Sequence, residues 1–369
     1  MACLPAWTYG DPAFFALERE RVFMPSWQLV CHVNDIARPG DYCSLDILGE
    51  PLVAVRGRDG RVRAFHNVCR HRGARLVAGP KGSCGRRLTC PYHGWSYALD
   101  GRLVGVPFRR DYDGLNADAL GLAPVELETF LGFVFARVES GGPTVAEMMA
   151  PYADELGAYR IAEMMPLGRV TLRRRPVNWK TVADNYADTL HIPVAHPGLS
   201  RLFGGSYRIE SRGWVDRMSG TLVDTPSANP SERAYQAVLP AAAHLPPERR
   251  RQWCYYRLWP NLAFDVYPDQ LDFMQFIPLS PTETLIREIP YGLPDERREM
   301  RAARYLNWRI NRQVNREDSD LIEAVQAGMG SHGHCAGPLS RREVGLGAFA
   351  DRMRAALPEC RGTTRPVNR

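Results

Sequence analysis

Two cysteines and two histidines in the first third of the chain are spaced like the ligands of a metal cluster. Cys69 and His71 lie in the segment CRHRG, and Cys90 and His93 lie in the segment CPYHGW. Each segment offers one thiolate and one imidazole, whereas a common zinc finger groups cysteine with cysteine and histidine with histidine. A two-iron, two-sulfur centre with two cysteines on one iron and two histidines on the other takes one ligand of each kind from each loop. The spacing therefore predicts such a centre.

A second group of possible ligands lies in the segment NWKTVADNYADTLHIPVAH, which covers residues 178–196. It contains two histidines, His191 and His196, close together in the chain. Two histidines and one carboxylate on one side of an iron leave coordination positions open for dioxygen and a substrate. The segment therefore predicts a mononuclear iron centre that is separate from the cluster.

The carboxylate of this second centre is expected in the segment REDSDLIEAVQ, which offers Glu317, Asp318, Asp320 and Glu323. Apolar residues of this region recur at helical spacing and predict a buried stripe. The stripe comprises Leu306, Ile310, Val314, Leu321 and Val325. Asp320 and Glu323 fall well off it, whereas Glu317 and Asp318 both lie near its edges. Periodicity therefore leaves Glu317 and Asp318 open.

These motifs together resemble the Rieske non-haem iron oxygenases. The two Cys/His blocks match the ligand loops of that family almost letter for letter, and residues 185–196 match its pattern NYxDxxHxxxxH. The resemblance runs from Trp27 to the end of the chain. It implies a [2Fe–2S] cluster and an Fe(II) ion as cofactors. The implied cluster ligands are Cys69, His71, Cys90 and His93, and the implied ligands of the Fe(II) ion are His191, His196 and Asp318, with Glu317 as the alternative to Asp318.

The resemblance also implies how electrons reach the iron. In the family they pass between subunits of a head-to-tail homotrimer. Asp188 is the implied bridge, accepting hydrogen bonds from His191 of its own chain and from His93 of the neighbour. Asn185 is expected near the iron as a polar neighbour.

Turnover in such an enzyme uses O2 and electrons from NAD(P)H. The sequence shows neither a glycine-rich dinucleotide turn nor a plant-type ferredoxin cysteine cluster. A separate flavin- and iron–sulfur-containing reductase, or a ferredoxin, is therefore the expected partner.

The substrate is expected to be a small molecule, and the chain is most similar to the choline, betaine and carnitine oxygenase branch of the family. Features such as YYRLWPNL at 255–262 point to that branch. Aromatic residues of two neighbouring strands could form a cage for a quaternary ammonium group by cation–π contact, or could be sheet core. The cage candidates are Trp253, Tyr255, Trp259 and Phe264. The expected reaction is oxidative N-demethylation or hydroxylation of a quaternary ammonium or betaine compound. Hydroxylation or O-demethylation of an aromatic or carboxylic acid is the alternative, and an electron carrier without oxygenase activity is a more remote one.

The elements that must position these residues predict an α+β protein. Residues 1–26 are expected to pack on the catalytic domain, 27–139 to form a small all-β Rieske domain of short strands and turns, and 140–369 to form the catalytic domain. For the catalytic domain, we expect an antiparallel sheet of the helix-grip type with helices packed on it. A helix is predicted over 178–191, with Pro193 ending it and with Asp184, Asp188 and His191 on one face. Further helices are predicted over 296–328 and 341–357.

Composition excludes several classes of protein. The chain has 369 residues, a net charge of +6 and 45% hydrophobic residues. Its basic residues are scattered rather than clustered in a dense stripe, so nucleic acid is not an expected partner. No apolar run approaches the length of a membrane span, and no secretory signal is visible, so a cytoplasmic location is expected.

Overall fold

The structure is a computed structural model that describes residues 3–362. The chain folds into two compact units, one formed by Phe23–Val145 and the other by the described residues before Phe23 together with those from Ala146 onward. The smaller unit is built of strands and turns, and the larger unit combines a sheet with helices. The predicted α+β class is confirmed.

The smaller unit is all-β, as short apolar runs between glycine- and proline-rich turns predict. Its strands are β1 (Gln28–His32), β2 (Asp41–Ile47), β3 (Glu50–Arg56), β4 (Val62–His66), β5 (Lys81–Ser83), β6 (Arg87–Thr89), β7 (Ser96–Ala98), β8 (Leu103–Gly105), β9 (Glu126–Phe130) and β10 (Phe133–Arg137). They form three antiparallel sheets with the orders β1-β10-β9, β4-β3-β2-β5 and β6-β7-β8.

The core of this unit fixes the two Cys/His loops. Val53 and Val55 of β3 and Tyr97 of β7 are fully buried and belong to one apolar cluster. Cys69 and Cys90 are members of the same cluster. Burial of these two side chains between the sheets holds the loops in place, because close-packed interiors leave little freedom for a misplaced group.

The larger unit is organised around one antiparallel sheet with the path β11-β18-β17-β16-β15-β14-β13, and β12 also pairs with β18. Its strands are β11 (Met165–Pro166), β12 (Thr171–Arg175), β13 (Arg208–Arg212), β14 (Val215–Thr221), β15 (Gln252–Leu258), β16 (Leu262–Val266), β17 (Leu271–Ser280) and β18 (Glu283–Gly292). Successive side chains of a strand point to opposite faces, so one face of this sheet is available to line a site.

Helices cover the sheet. Within residues 3–362 they are α1 (Pro12–Glu18), α2 (Val145–Met149), α3 (Ala153–Gly157), α4 (Trp179–Tyr186), α5 (Ile192–Ala195), α6 (Pro197–Phe203), α7 (Pro230–Val238), α8 (Arg298–Met329) and α9 (Val344–Ala356). The long helix α8 packs against α4 and α7, and α4 packs against β17. The two later helices predicted from the sequence correspond to α8 and α9. No helix within the described part of the chain is both long and apolar enough for a bilayer crossing.

The helix predicted over 178–191 is wrong in its second half. Asn178 caps α4 by accepting a hydrogen bond from the Lys180 amide at 2.9 Å, but the helix ends at Tyr186. Beyond it, the Asp188 carboxylate accepts from the amides of Leu190 and His191, at 2.8 and 3.3 Å. Such bonds from an aspartate to nearby amides compete with helix continuation. Pro193 therefore lies near the start of α5, where proline is tolerated, and does not end α4.

The apolar stripe predicted for α8 is wrong at its C-terminal end. Leu321 and Val325 are exposed, whereas Ile322 is buried. The buried face passes through Asn307 and Ile310 and continues past Asp318 to Ile322. Polar residues on this inner face shift the apparent hydrophobic period, because the helix faces a polar site rather than a dry core.

Candidate metal centres and cavity

The two Cys/His loops have the same backbone framework. In the first, the amide of Gly73 donates to the Cys69 carbonyl at 2.9 Å, and the Cys69 amide donates to the Ala74 carbonyl at 2.8 Å. In the second, the Gly94 amide donates to the Cys90 carbonyl at 3.0 Å, and the Cys90 amide to the carbonyl five residues on at 2.8 Å. Gly73 and Gly94 have φ values of +78° and +73°, which glycine adopts without strain.

These loops bring the four predicted cluster ligands together. Cys69 and Cys90 are 2% and 3% exposed, and the rings of His71 and His93 lie 4.7 Å apart at their centroids. The buried Nδ1 atom of His71 has no hydrogen-bond partner within residues 3–362. Leaving such a nitrogen without a partner is costly, and a metal bond would satisfy it. The donor set and this orphaned nitrogen fit a histidine-ligated iron–sulfur cluster.

The electrostatics of the loops also fit a bound cation. Burial raises the pKa of the Cys69 thiol, and the neighbouring Cys90 raises it further against a lowering effect of the Tyr97 hydroxyl, which lies 3.3 Å from Cys69 Sγ. Burial, His71 and Arg72 lower the pKa of His93. A metal cluster would supply the positive charge that stabilises both thiolates, and neutral imidazoles are the form that binds a metal.

The second group of ligands converges in the larger unit. His191, His196 and Asp318 offer ligand atoms that all lie within 4.8 Å of one another. The two Nε2 atoms are 3.1 Å apart, and Asp318 Oδ1 lies 3.0 Å from His196 Nε2 and 3.6 Å from His191 Nε2. Two imidazoles and one carboxylate aimed at one point match the facial set of non-haem iron sites.

The outer ring nitrogens of both histidines contact carboxylates. His191 Nδ1 lies 2.9 Å from Asp188 Oδ2, and His196 Nδ1 lies 2.8 Å from Glu317 Oε2. Glu317 therefore contacts the Nδ1 edge of the His196 ring, whereas Asp318 Oδ1 lies near the Nε2 atoms of both histidines. Helical periodicity left these two acidic residues open, and the family resemblance implied Asp318; in the structure it is Asp318 whose Oδ1 lies near both Nε2 atoms.

Two further predicted residues lie beside this group. Asn185 at the end of α4 donates a hydrogen bond from Nδ2 to Asp318 Oδ1 at 3.1 Å. The sequence predicted that Asp184 shares a helix face with Asp188 and His191. Asp184 does not line the cavity with them, and it accepts a hydrogen bond from the Tyr9 hydroxyl at 2.5 Å instead. For Asp188, burial acts to raise the pKa, but the hydrogen bonds from His191 and from the Leu190 amide outweigh it and leave the pKa lowered. Asp188 is therefore an ionised acceptor for the His191 ring.

A cavity of about 1130 Å³ opens onto the second group of ligands. It lies between the sheet and helices α4 and α8, and His191, His196, Asp318 and Asn185 are among its lining residues. Of the four aromatic residues predicted to contact substrate, Tyr255 lines the cavity.

The other three predicted substrate contacts do not line this cavity. Trp253 is fully buried in the apolar core, where its ring packs against Phe203 and Tyr235. Phe264 has its side chain on the face of the sheet opposite to that of Tyr255, because it pairs with Tyr256 in the register of β15 and β16. Trp259 follows β15, and its ring packs 5.6 Å from that of Phe349.

The cavity residues that sequence reasoning missed include Tyr186, Tyr207, Asp265 and Asp272. Tyr255, Asp265 and Asp272 are successive cross-strand partners on β15, β16 and β17. The alternation of polar and apolar residues in AFDVYPDQLD could have indicated the two carboxylates, but only with the strand register in hand.

Comparison with known proteins agrees with this geometry. Residues 26–124 match the Rieske [2Fe-2S] domain, and residues 154–359 match the ring hydroxylating alpha subunit (catalytic domain). The chain is 33% identical over 341 residues to the carnitine monooxygenase oxygenase subunit of Escherichia coli (strain K12), covering 90% of this chain and 85% of the relative. It is 37% identical over 198 residues to the glycine betaine monooxygenase oxygenase subunit of Chromohalobacter salexigens, covering 53% and 43%.

Among solved structures, the quaternary ammonium Rieske monooxygenase CntA in complex with L-carnitine superposes with a TM-score of 0.80 at 25% identity, covering 96% of this chain and 95% of that one. The two domain matches span both groups of predicted metal ligands. This chain belongs to the Rieske ring-hydroxylating oxygenases and is an oxygenase alpha subunit of that family.

Proposed function

We propose that this oxygenase hydroxylates a carbon bonded to the nitrogen of a quaternary ammonium or betaine compound. Such a product is a cationic carbinolamine that splits into a tertiary amine, a carbonyl compound and a proton, and at an N-methyl carbon the carbonyl compound is formaldehyde. The reaction consumes one O2, two electrons and two protons and releases one water. Carnitine and glycine betaine monooxygenase subunits among the relatives support this substrate class.

The observation that carries the proposal is the convergence of His191 Nε2, His196 Nε2 and Asp318 Oδ1 at the wall of a large cavity. We propose that these three atoms hold Fe(II), and that Cys69, His71, Cys90 and His93 hold the cluster. The bound iron would supply dioxygen activation, and the cluster would supply electrons singly.

The protein side chains then have distinct tasks. Asp188 and Glu317 orient the two histidine rings and fix the tautomer that leaves each Nε2 free for a metal. Asn185 holds the Asp318 carboxylate by a hydrogen bond to Oδ1. Asp188 is partly exposed, with 19% of its side chain accessible, so it is also available to a second imidazole.

We propose that this second imidazole is His93 of a neighbouring subunit in a head-to-tail homotrimer. His93 is partly exposed on its loop, and next to it Tyr92 is 59% exposed. Close to Asp188 in sequence, Val194 is 85% exposed. Exposed apolar groups beside both partners favour contact between copies, since such groups gain from burial.

The electrons must come from a separate protein, since the chain is an oxygenase subunit. We propose an NAD(P)H-dependent reductase with flavin and iron–sulfur centres, or a ferredoxin, as that partner. O2 is the proposed co-substrate, and the cytoplasmic location stays a prediction from the sequence. The electron-carrier alternative leaves the second group of ligands and the catalytic-domain match without a purpose.

Metal content and product analysis test the proposal. The reconstituted wild type should hold about three irons per chain, two in the cluster and one mononuclear. Asp318→Ala should lower this to about two without loss of the cluster spectrum, whereas Glu317→Gln should keep the third iron with about 10- to 100-fold weaker affinity.

Turnover is then measured with a reductase, NADH and a panel of betaines and aromatic acids, scoring amine and formaldehyde. Oxidation of aromatic acids alone would favour the alternative substrate class. Retention of the third iron in Asp318→Ala would contradict the proposed ligand set.

A further inference from the structure

Three tyrosines from separate elements form one wall of the cavity. Tyr186 comes from α4, Tyr207 from the segment before β13, and Tyr255 from β15, and all three line the cavity. The ring centroid of Tyr255 lies 6.5 Å from that of Tyr186 and 6.2 Å from that of Tyr207. Electron-rich ring faces grouped in this way attract organic cations.

Two carboxylates lie in the same cavity. Asp265 on β16 and Asp272 on β17 are direct cross-strand partners, and Tyr255 on β15 is the cross-strand partner of Asp265. All three line the cavity. Like charges directly opposite each other on neighbouring strands destabilise a sheet, so this arrangement needs compensation.

No basic side chain within residues 3–362 forms an ion pair with either carboxylate. Asp265 accepts hydrogen bonds from the hydroxyls of Tyr186 and Tyr267, and Asp272 accepts one from Gln270 Nε2 at 3.0 Å. All of these donors are neutral.

Other acidic residues of this unit do have cationic partners. Glu288, in the same cavity, binds Arg173 through two hydrogen bonds, one of them 2.6 Å long. The fully buried Asp216 binds Arg257, with 2.6 Å between Arg257 Nη2 and Asp216 Oδ2. Buried charges are normally paired in this way. Asp184 and Asp269 also have only neutral side-chain partners, but Asp265 and Asp272 line the cavity and face each other across neighbouring strands.

The Tyr255 hydroxyl is a second, independent sign of a missing ligand. Tyr255 is 8% exposed, and its buried hydroxyl has no hydrogen-bond partner in the described part of the chain. A buried hydroxyl without a partner is costly unless a ligand or a water satisfies it. It lies in the same cross-strand row as the two carboxylates.

We infer that Asp265, Asp272 and Tyr255, with Tyr186 and Tyr207, form the subsite that takes the ammonium group of the substrate and selects a cation over a neutral molecule of the same shape. The inference rests on the proposed function and assigns the residues that recognise its substrate. The two carboxylates supply the counter-charge, and the tyrosine rings contact the methyl groups, which cannot donate ordinary hydrogen bonds.

The subsite is close to the proposed iron. Tyr186, Tyr207 and Asp265 line the same cavity as His191, His196 and Asp318, and Tyr186, which donates to Asp265, directly follows Asn185, which donates to Asp318. An ammonium group bound there would have its attached carbons in the cavity that His191, His196 and Asp318 also line.

A pair of isosteres that differ only in charge tests the inference. γ-Butyrobetaine carries a trimethylammonium group, and 5,5-dimethylhexanoate carries a tert-butyl group in its place. Choline and 3,3-dimethylbutan-1-ol form a second pair. Dissociation constants are measured by calorimetry on the iron- and cluster-loaded full-length protein, and KM and kcat are measured with the reductase.

In at least one of the pairs, the wild type should prefer the trimethylammonium compound over its tert-butyl isostere by about 100-fold. Asp265→Asn and Asp272→Asn should each reduce that preference by about tenfold or more, mainly through the dissociation constant and KM. Asp265→Glu should restore part of it. Glu283→Gln is the matched control, because Glu283 lies on β18 of the same sheet but pairs with Arg174 at the surface, and its preference should equal that of the wild type.

The outcomes separate this inference from the proposed function. Turnover of cations with an unchanged preference in both Asp→Asn variants overturns the subsite alone. Equal binding of cation and isostere by the wild type overturns both the subsite and the substrate class. Thermal unfolding of each variant checks folding, and Tyr255→Phe supplies a further readout, expected to weaken cation binding less than either Asp→Asn change.

Discussion

At the residue scale, each imidazole of the proposed iron site uses its two ring nitrogens differently. Nε2 is directed at the proposed iron position, and Nδ1 contacts a carboxylate. His191 donates outward to Asp188, and His196 contacts Glu317. The two carboxylates differ in environment, because Asp188 follows the end of α4 in an irregular segment, whereas Glu317 projects from the middle of α8. Because Asp188 is partly exposed in an irregular segment, it can contact a second protein surface. Because Glu317 lies on a long helix, it can hold the His196 ring in a fixed orientation.

This difference yields a prediction for Asp188→Asn. The amide keeps the shape of the side chain but loses the charge that holds two imidazoles, so both metal sites should remain loaded while turnover falls by about 100-fold. Iron content, the spectrum of the reduced cluster and product formation are measured together. Asp224→Asn is the control, because Asp224 is almost fully exposed. Near-normal product formation in Asp188→Asn would remove the bridging role.

A second prediction at this scale concerns pH. Burial raises the pKa of Asp265 to about 7, with Glu288 adding to the rise and the hydrogen bonds of Tyr186 and Tyr267 opposing it. The neighbouring Asp272 on β17 also has a pKa raised by burial and by Asp265. Below about pH 7 a cationic substrate must therefore displace a proton from this pair.

The KM for a cationic substrate should accordingly fall as the pH rises from 6 to 8, by about tenfold per unit on the acidic side. In Asp265→Asn this dependence should flatten, since the carboxyl group with the pKa of about 7 is no longer present. The measurement is KM against pH for both proteins with the same reductase. A wild-type KM that rises over this range would contradict an ionised carboxylate as the cation's partner.

At the element scale, the sequence predicted which segments hold the site but not how each one ends. The Cys/His loops, α8 and α9 follow from local signals: ligand spacing, turn residues and helical periodicity. The end of α4 does not, because it depends on Asp188 bonding to its own following amides. The sequence also did not predict which face of α8 carries Asp318, because polar residues on the inner face interrupt the apolar pattern of the buried stripe.

A fully buried ion pair connects helix α4 to helix α1. Lys180 Nζ lies 2.5 Å from Glu18 Oε1 of α1, and both side chains are 0% exposed. Lys180 also donates to the Thr8 carbonyl at 3.0 Å. Because α4 carries Asn185 beside the proposed iron, this anchor links the N-terminal segment to the geometry of the site.

Lys180→Met should therefore lower the free energy of unfolding by about 3–5 kcal/mol, because it leaves the Glu18 charge buried without a counter-charge. The double variant Lys180→Met with Glu18→Leu should recover most of that loss, since an apolar pair of similar volume replaces both charges. Urea unfolding of the two variants and the wild type measures the difference. Equal loss in the single and double variants would show that packing rather than charge holds α4.

At the scale of the whole molecule, the cavity was the least predictable feature. Its wall takes Tyr186, Tyr207 and Tyr255 from elements far apart in sequence, and its two carboxylates meet only through the register of β16 and β17. The sequence suggested an aromatic cage, but it drew the candidates from one strand pair. Trp253 and Phe264 were placed there because they are near Tyr255 in sequence, whereas the pleat and the core packing take them elsewhere.

The assembly prediction concerns whether electrons cross between copies. Cys69→Ser removes a proposed cluster ligand and His196→Ala removes a proposed iron ligand, so each variant alone should be inactive. Co-expressed with different tags and purified through both, the variants should regain activity, because an intact iron site in one copy can then face an intact cluster in the next. Each mixed trimer of a head-to-tail ring has one junction at which an intact iron site faces an intact cluster, so about a third of the wild-type activity per chain is expected of the doubly purified protein. Doubly tagged oligomers that contain both variants, hold both metals and still show no turnover would mean that electrons stay within one chain.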